Sequence, residues 1–65
     1  MASMIEALAA AHAGNRDAVF TLFTLSGHVV SGRIAAIGDT VTLAAGREVA
    51  EVPRDRIEAF SYRHP

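Results

Sequence analysis

The 65-residue chain contains no cysteine. Disulfide staples and thiolate-bound zinc, which rescue many very small domains, are thereby excluded, and nothing signals an oxidising compartment. Lysine is missing too: all six basic residues are arginine, at positions 16, 33, 47, 54, 56 and 63. Seven acids set against them leave a net charge of −1, so no global positive field recruits nucleic acid, and RNA or DNA binding needs a local patch. No apolar run approaches the roughly 18 residues of a membrane span, and Met1–Gly14 lacks the basic start of a secretory signal. A cytoplasmic protein without membrane contact is expected.

Catalytic and metal-binding patterns are also scarce. The histidines at 12, 28 and 64 stand at no metal-ligand spacing, so no metal or other cofactor is expected. Ser3, Ser26, Ser31 and Ser61 have no neighbouring His and Asp together to activate them, and the acids form no pair suited to acid–base work. Gly27-x4-Gly32 lacks the Lys-Ser/Thr of a phosphate loop and leads into a strand. The chain reads as a non-enzyme.

What is abundant is apolar character, at 51% of residues. A domain this small buries only about 60% of the surface its unfolded chain exposes, so the surplus points to a partner surface.

Ser3-Met4-Ile5-Glu6 fits a capping box, with the glutamate reaching back to the serine amide. A helix over residues 3–13 follows, with Ile5, Leu8, Ala9 and His12 on one stripe and Gly14 as the left-handed stop. About ten residues are marginal alone in water, so this helix must dock. From Ala18 the pattern turns to β-branched and aromatic residues. Strands are predicted at 19–25, 28–37, 40–45, 48–52 and 57–62, with turns at Ser26-Gly27, Gly38-Asp39, Gly46-Arg47 and Pro53–Arg56. In the second strand Val30, Gly32, Ile34 and Ala36 share a face, and Gly32 marks a sharp bend. Phe20, Leu22 and Phe23 are assigned to the core. The whole is one mainly β domain over residues 1–65: an N-terminal helix (3–13), then a five-stranded, strongly bent antiparallel open barrel (18–63).

This order, with Leu25-Ser26-Gly27-x4-Gly32-x5-Gly38-Asp39-x-Val41-x-Leu43 and Val52-Pro53-Arg54-Asp55-Arg56-Ile57, resembles the Sm-like superfamily, and within it the bacterial Hfq branch. Gly27 and Gly32 stand at the family spacing, Ile37 takes the hydrophobic place before the turn, and Val41 and Leu43 take core places. The functional positions depart. The motif aspartate falls on Gly38, displacing the acid to Asp39, and Thr40 stands where the Hfq branch has an aromatic that helps hold uridine. The second motif falls on Pro53, Arg54 and Asp55, keeping only the basic middle residue.

The resemblance implies a homo-oligomeric ring of about five to seven copies, closed by pairing the fourth strand of one copy with the fifth of the next. Interface candidates are Val49, Val52, Ile57, Phe60 and Tyr62. It also implies single-stranded RNA as a partner. Arg54 and Arg56 would gather around a pore, where guanidinium forks grip phosphate and stack on bases. Asp39, Thr40, Arg33 and His28 complete the RNA-binding candidates, with weak or altered specificity because no aromatic platform is present. The alternative is a ring-forming structural or protein-interaction module without RNA binding, in which Asp55 pairs with an arginine and steadies the turn. A third reading is a monomeric barrel that holds a peptide or small ligand.

Overall fold

A computed structural model describes residues 3–64. The chain forms helix α1 (Met4–Gly14), strands β1 (Val19–Thr24), β2 (Val29–Ile37), β3 (Thr40–Ala45) and β4 (Glu48–Pro53), a short 3-10 turn (Arg54–Arg56) and strand β5 (Ile57–Arg63). The fold is mainly β, as the sequence predicts, with the strands in one antiparallel sheet of order β4-β3-β2-β1-β5.

The ends of α1 differ in detail from the predicted ones. Ser3 is the N-cap and its Oγ accepts from the Glu6 amide at 3.2 Å. The Glu6 carboxylate in turn accepts from the Ser3 hydroxyl at 3.2 Å. At the other end Gly14 stays helical and Asn15 is the C-cap. Its side chain donates to the Ala11 carbonyl at 2.9 Å, satisfying one of the orphan acceptors of the last turn. Leu8 is fully buried, with Ile5, Ala11 and His12 half-buried beside it, whereas Ala9 faces outward.

Strand β2 changes partners midway. Val29–Gly32 pair with β1, whereas Arg33–Ile37 pair with β3, so the sheet folds over at Gly32. A Cβ on Gly32 would lie 2.7 Å from the Ala44 carbonyl oxygen, which is why only glycine fits this corner. A register shift follows between Ile34 and Ala36, making Ala35 the extra residue. This bulge turns Ala36 outward, correcting its predicted place on the core face, and leaves Ile37 half-buried. Gly27 (φ 87°) and Gly46 (φ 61°) supply the left-handed residues of two hairpin turns.

The curl of the sheet follows from a length constraint. A flat sheet would hold β4 and β5 about 19 Å apart, four strand spacings. The 3-10 turn between Pro53 and Ile57 advances only about 2 Å per residue, or about 8 Å. The sheet must therefore bend until its edges approach at this turn, though it does not close.

Inside lie Leu8, Ala18, Phe20, Leu22, Ile34, Val41, Leu43, Val52 and Ile57. Phe20 is the hub: its ring stacks on Tyr62 at 5.1 Å, lies 6.3 Å from Phe60 and meets His12 edge-on at 6.0 Å. Phe23 is not core. On β1 the inward positions are Phe20, Leu22 and Thr24, so Phe23 points to the outer face and is 38% exposed.

Candidate nucleic-acid interface

The Arg54-Asp55-Arg56 turn is fixed at both ends by its backbone. Pro53, with φ −57°, ends the edge strand β4, where a missing N–H costs little. The Arg54 amide then donates to the Asp39 carbonyl at 3.0 Å, tying the turn to the β2–β3 connection. The Arg56 carbonyl accepts from the Leu25 amide at 2.9 Å, tying it to the β1–β2 hairpin. Neither bond uses a guanidinium group, and all three side chains of the turn are exposed.

These bonds bring most of the sequence-nominated residues together. Asp39 and Thr40 are exposed next to Arg54, with Thr40 directly opposite Pro53 in the β3–β4 ladder. On the other side, Arg56 and His28 line one open groove of about 320 Å³, with Thr24, Ser26, Val30 and Glu51 on its walls. His28 is held by the hairpin: its amide donates to Thr24 Oγ1 at 3.0 Å and its Nδ1 lies 3.0 Å from Ser26 Oγ. The Thr24 and Ser26 hydroxyls are themselves 3.0 Å apart, so the buried Thr24 is satisfied.

Arg33 stands elsewhere. It lines a second groove, of about 560 Å³, with Val19, Ser31, Gly32 and Ala44–Gly46.

The interface candidates also divide. Val49 on edge strand β4 is 67% exposed, and Tyr62 on edge strand β5 is 44% exposed. Phe60 is half-buried against the core. Val52 and Ile57 turn inward, opposite Val41 and Thr24, and belong to the core of their own chain.

Sequence reading missed Ser26 and Glu51 as groove residues. The two-residue spacing of Ser26 from His28 across Gly27 is the signature of a hydroxyl-braced turn and was available. Nothing local marks Glu51, which reaches the groove only because the sheet curls. Two arginines and His28 therefore share this region with Asp39, Asp55 and Glu51. Such a mixture can grip phosphate while its acids accept from base amino groups. Among the described residues no group of three or more His, Asp or Glu could hold a metal ion, and no helix is long and apolar enough to cross a membrane. No family model, curated protein or solved structure matches the chain.

Proposed function

We propose that the protein is an Sm-like, ring-forming module that binds single-stranded RNA with altered specificity. The helix followed by a curled five-stranded antiparallel sheet is compatible with that layout. One observation carries the RNA reading. The exposed Arg54–Arg56 turn is bonded to both neighbouring connections, so Arg54 lies beside Asp39 and Thr40 on one side and Arg56 shares a groove with His28 on the other, although these residues come from three separate segments.

Assembly follows from the edges. Strands β4 and β5 each have one neighbour, so about half of their backbone groups face away from the sheet, and exposed edges drive association. Pairing β4 with the next copy's β5 would use these groups and cover Val49 and Tyr62. Ring symmetry then repeats Arg54 and Arg56 in every copy and concentrates them.

Thr40 offers no ring for a base, so stacking worth roughly 1–3 kcal/mol per base is absent at that position and uridine selectivity is lost. The interaction-module alternative draws its support from Asp55 and Glu51, which offset the arginine charge.

Fluorescence anisotropy with short oligo-U and oligo-A RNA tests the reading. Binding is expected to weaken steeply with salt, through counterion release, and to vanish in the Arg54→Ala, Arg56→Ala double variant at unchanged oligomer mass. Flat anisotropy up to about 100 μM protein, the weak end of non-specific binding, would leave the interaction module alone.

A further inference from the structure

The outer face of the β5–β1–β2 layer sorts its side chains into rows. Strand register places Ser61, Thr21 and Ser31 side by side, and next to them Ala59, Phe23 and Val29. On the far side of the hydroxyl row, Arg63 pairs with Val19, and Arg33 stands just past the point where β2 leaves β1. Val19 and Arg33 indeed line the same groove. One end of the face is thus basic, the middle carries hydroxyls, and the other end is apolar. No acid occurs in these three rows.

The apolar end is unusually bare. Val29 is 59% exposed, and Leu25, in the turn just past the end of β1, is 63% exposed, against 38% for Phe23. At the basic end the groove of about 560 Å³ is floored by Gly32 and walled by Ala44–Gly46, so a side chain can enter beside Arg33. The hydroxyl row is already braced, with Thr21 Oγ1 and Ser31 Oγ 3.0 Å apart.

A second copy of this chain does not fit. A two-fold axis along the strands would set arginine against arginine, and one across them would set arginine against the Phe23–Val29 row. The face, from the Val19 row to Leu25, also measures only about 20 Å by 14 Å, or about 280 Å², against roughly 800 Å² per partner in a stable interface. Nucleic acid suits it less than peptide does: its most exposed large apolar side chains, Leu25 and Val29, are aliphatic branches rather than a planar platform.

We propose that this face docks an extended acidic segment of another protein, with a carboxylate at Arg33 and Arg63 and a bulky aliphatic side chain on Phe23, Leu25 and Val29. The two ends lie about 14 Å apart, which an extended peptide spans in four residues. Residues four apart also point to the same side, whereas residues three apart point to opposite sides. The site therefore reads glutamate or aspartate, a small polar residue two positions on, and leucine or isoleucine four positions on, in either direction. The face touches the Arg54–Arg56 turn through backbone only, where the Leu25 amide donates to the Arg56 carbonyl; the proposal uses neither guanidinium group of that turn and does not depend on RNA binding.

The probes are capped seven-residue peptides with glutamate and isoleucine four apart, the same composition three apart, and lysine in place of the glutamate. They are titrated into isotope-labelled full-length protein and followed by NMR. The four-apart peptide is expected to shift amides in β1, β2 and β5 on this face, and to bind about tenfold more tightly than either control. Arg33→Ala and Leu25→Ser, both at exposed positions, should each weaken it by about tenfold, with the spectrum of the free protein otherwise kept. The Arg54→Ala, Arg56→Ala variant should bind it normally. Affinity indifferent to spacing or to charge would overturn the proposal, as would no binding at about 1 mM peptide. Displacement of the peptide by oligo-U RNA, with shifts on this same face, would assign the face to nucleic acid instead.

Discussion

Gly32→Ala tests the corner on which the whole sheet turns. The added methyl would lie 2.7 Å from the Ala44 carbonyl oxygen, 3.1 Å from its carbon and 3.4 Å from its amide nitrogen. All three are backbone atoms held in the β2–β3 ladder, so no side chain can swing aside, and relief requires β3 to move. Overpacking of this kind costs about 1–3 kcal/mol. Against it stands the entropy that alanine removes from the unfolded chain, about 0.4–1 kcal/mol in the stabilising direction. Steric cost wins, and the net expectation is a loss of about 1–2 kcal/mol. Urea unfolding followed by circular dichroism reads this directly. With a slope near 1 kcal/mol/M, at the low end for a chain this small, the midpoint should fall by about 1–2 M. Protomer concentration is matched between variants, because the proposed association would add to apparent stability. An unchanged or raised midpoint would refute the close approach at Gly32 and with it the reason for the bend.

Three further outcomes follow from individual contacts. Gly14→Ala is the matching control, because a Cβ there meets nothing within 4 Å and the residue is helical; stability should rise by up to about 1 kcal/mol in the same urea assay. Thr24→Val keeps the shape but removes the hydroxyl that accepts from the His28 amide, and should cost about 1–3 kcal/mol with faster hydrogen exchange at that amide. Asn15→Ala removes the 2.9 Å bond to the Ala11 carbonyl and should cost about 0.5–1.5 kcal/mol, read as a lower thermal midpoint.

Much of the fold was legible because its signals are local. Strand β3 (Thr40–Ala45) has the predicted bounds, set between two glycine turns, and the glycine in the middle of β2 marked the bend. Strand β1 was harder. Val19, Phe20, Leu22, Phe23 and Leu25 place apolar side chains on both faces, so alternation alone could not say which face is inward. The decision falls to Thr24, whose hydroxyl is buried in hairpin hydrogen bonds; that turns Phe20 and Leu22 in and Phe23 out. Ala36 was misplaced because one extra residue reverses the alternation beyond it.

The candidate site was half visible. Arg54, Arg56, Asp39, Thr40 and His28 were nominated from separate turns, and their convergence depends on backbone bonds that no residue type announces. Arg33 shares their charge but sits at the opposite end of β2's bend, in a different groove. Val52 and Ile57 read as interface residues from their place on edge strands, yet the curl that brings those strands together turns both inward.

Ring assembly is tested most directly by the mass of the protein in solution. Light scattering at micromolar concentration is expected to give one species of about five to seven times the 6.9 kDa chain, persisting on dilution. A sharp 6.9 kDa monomer would contradict edge-to-edge pairing and remove the basis for concentrating Arg54 and Arg56.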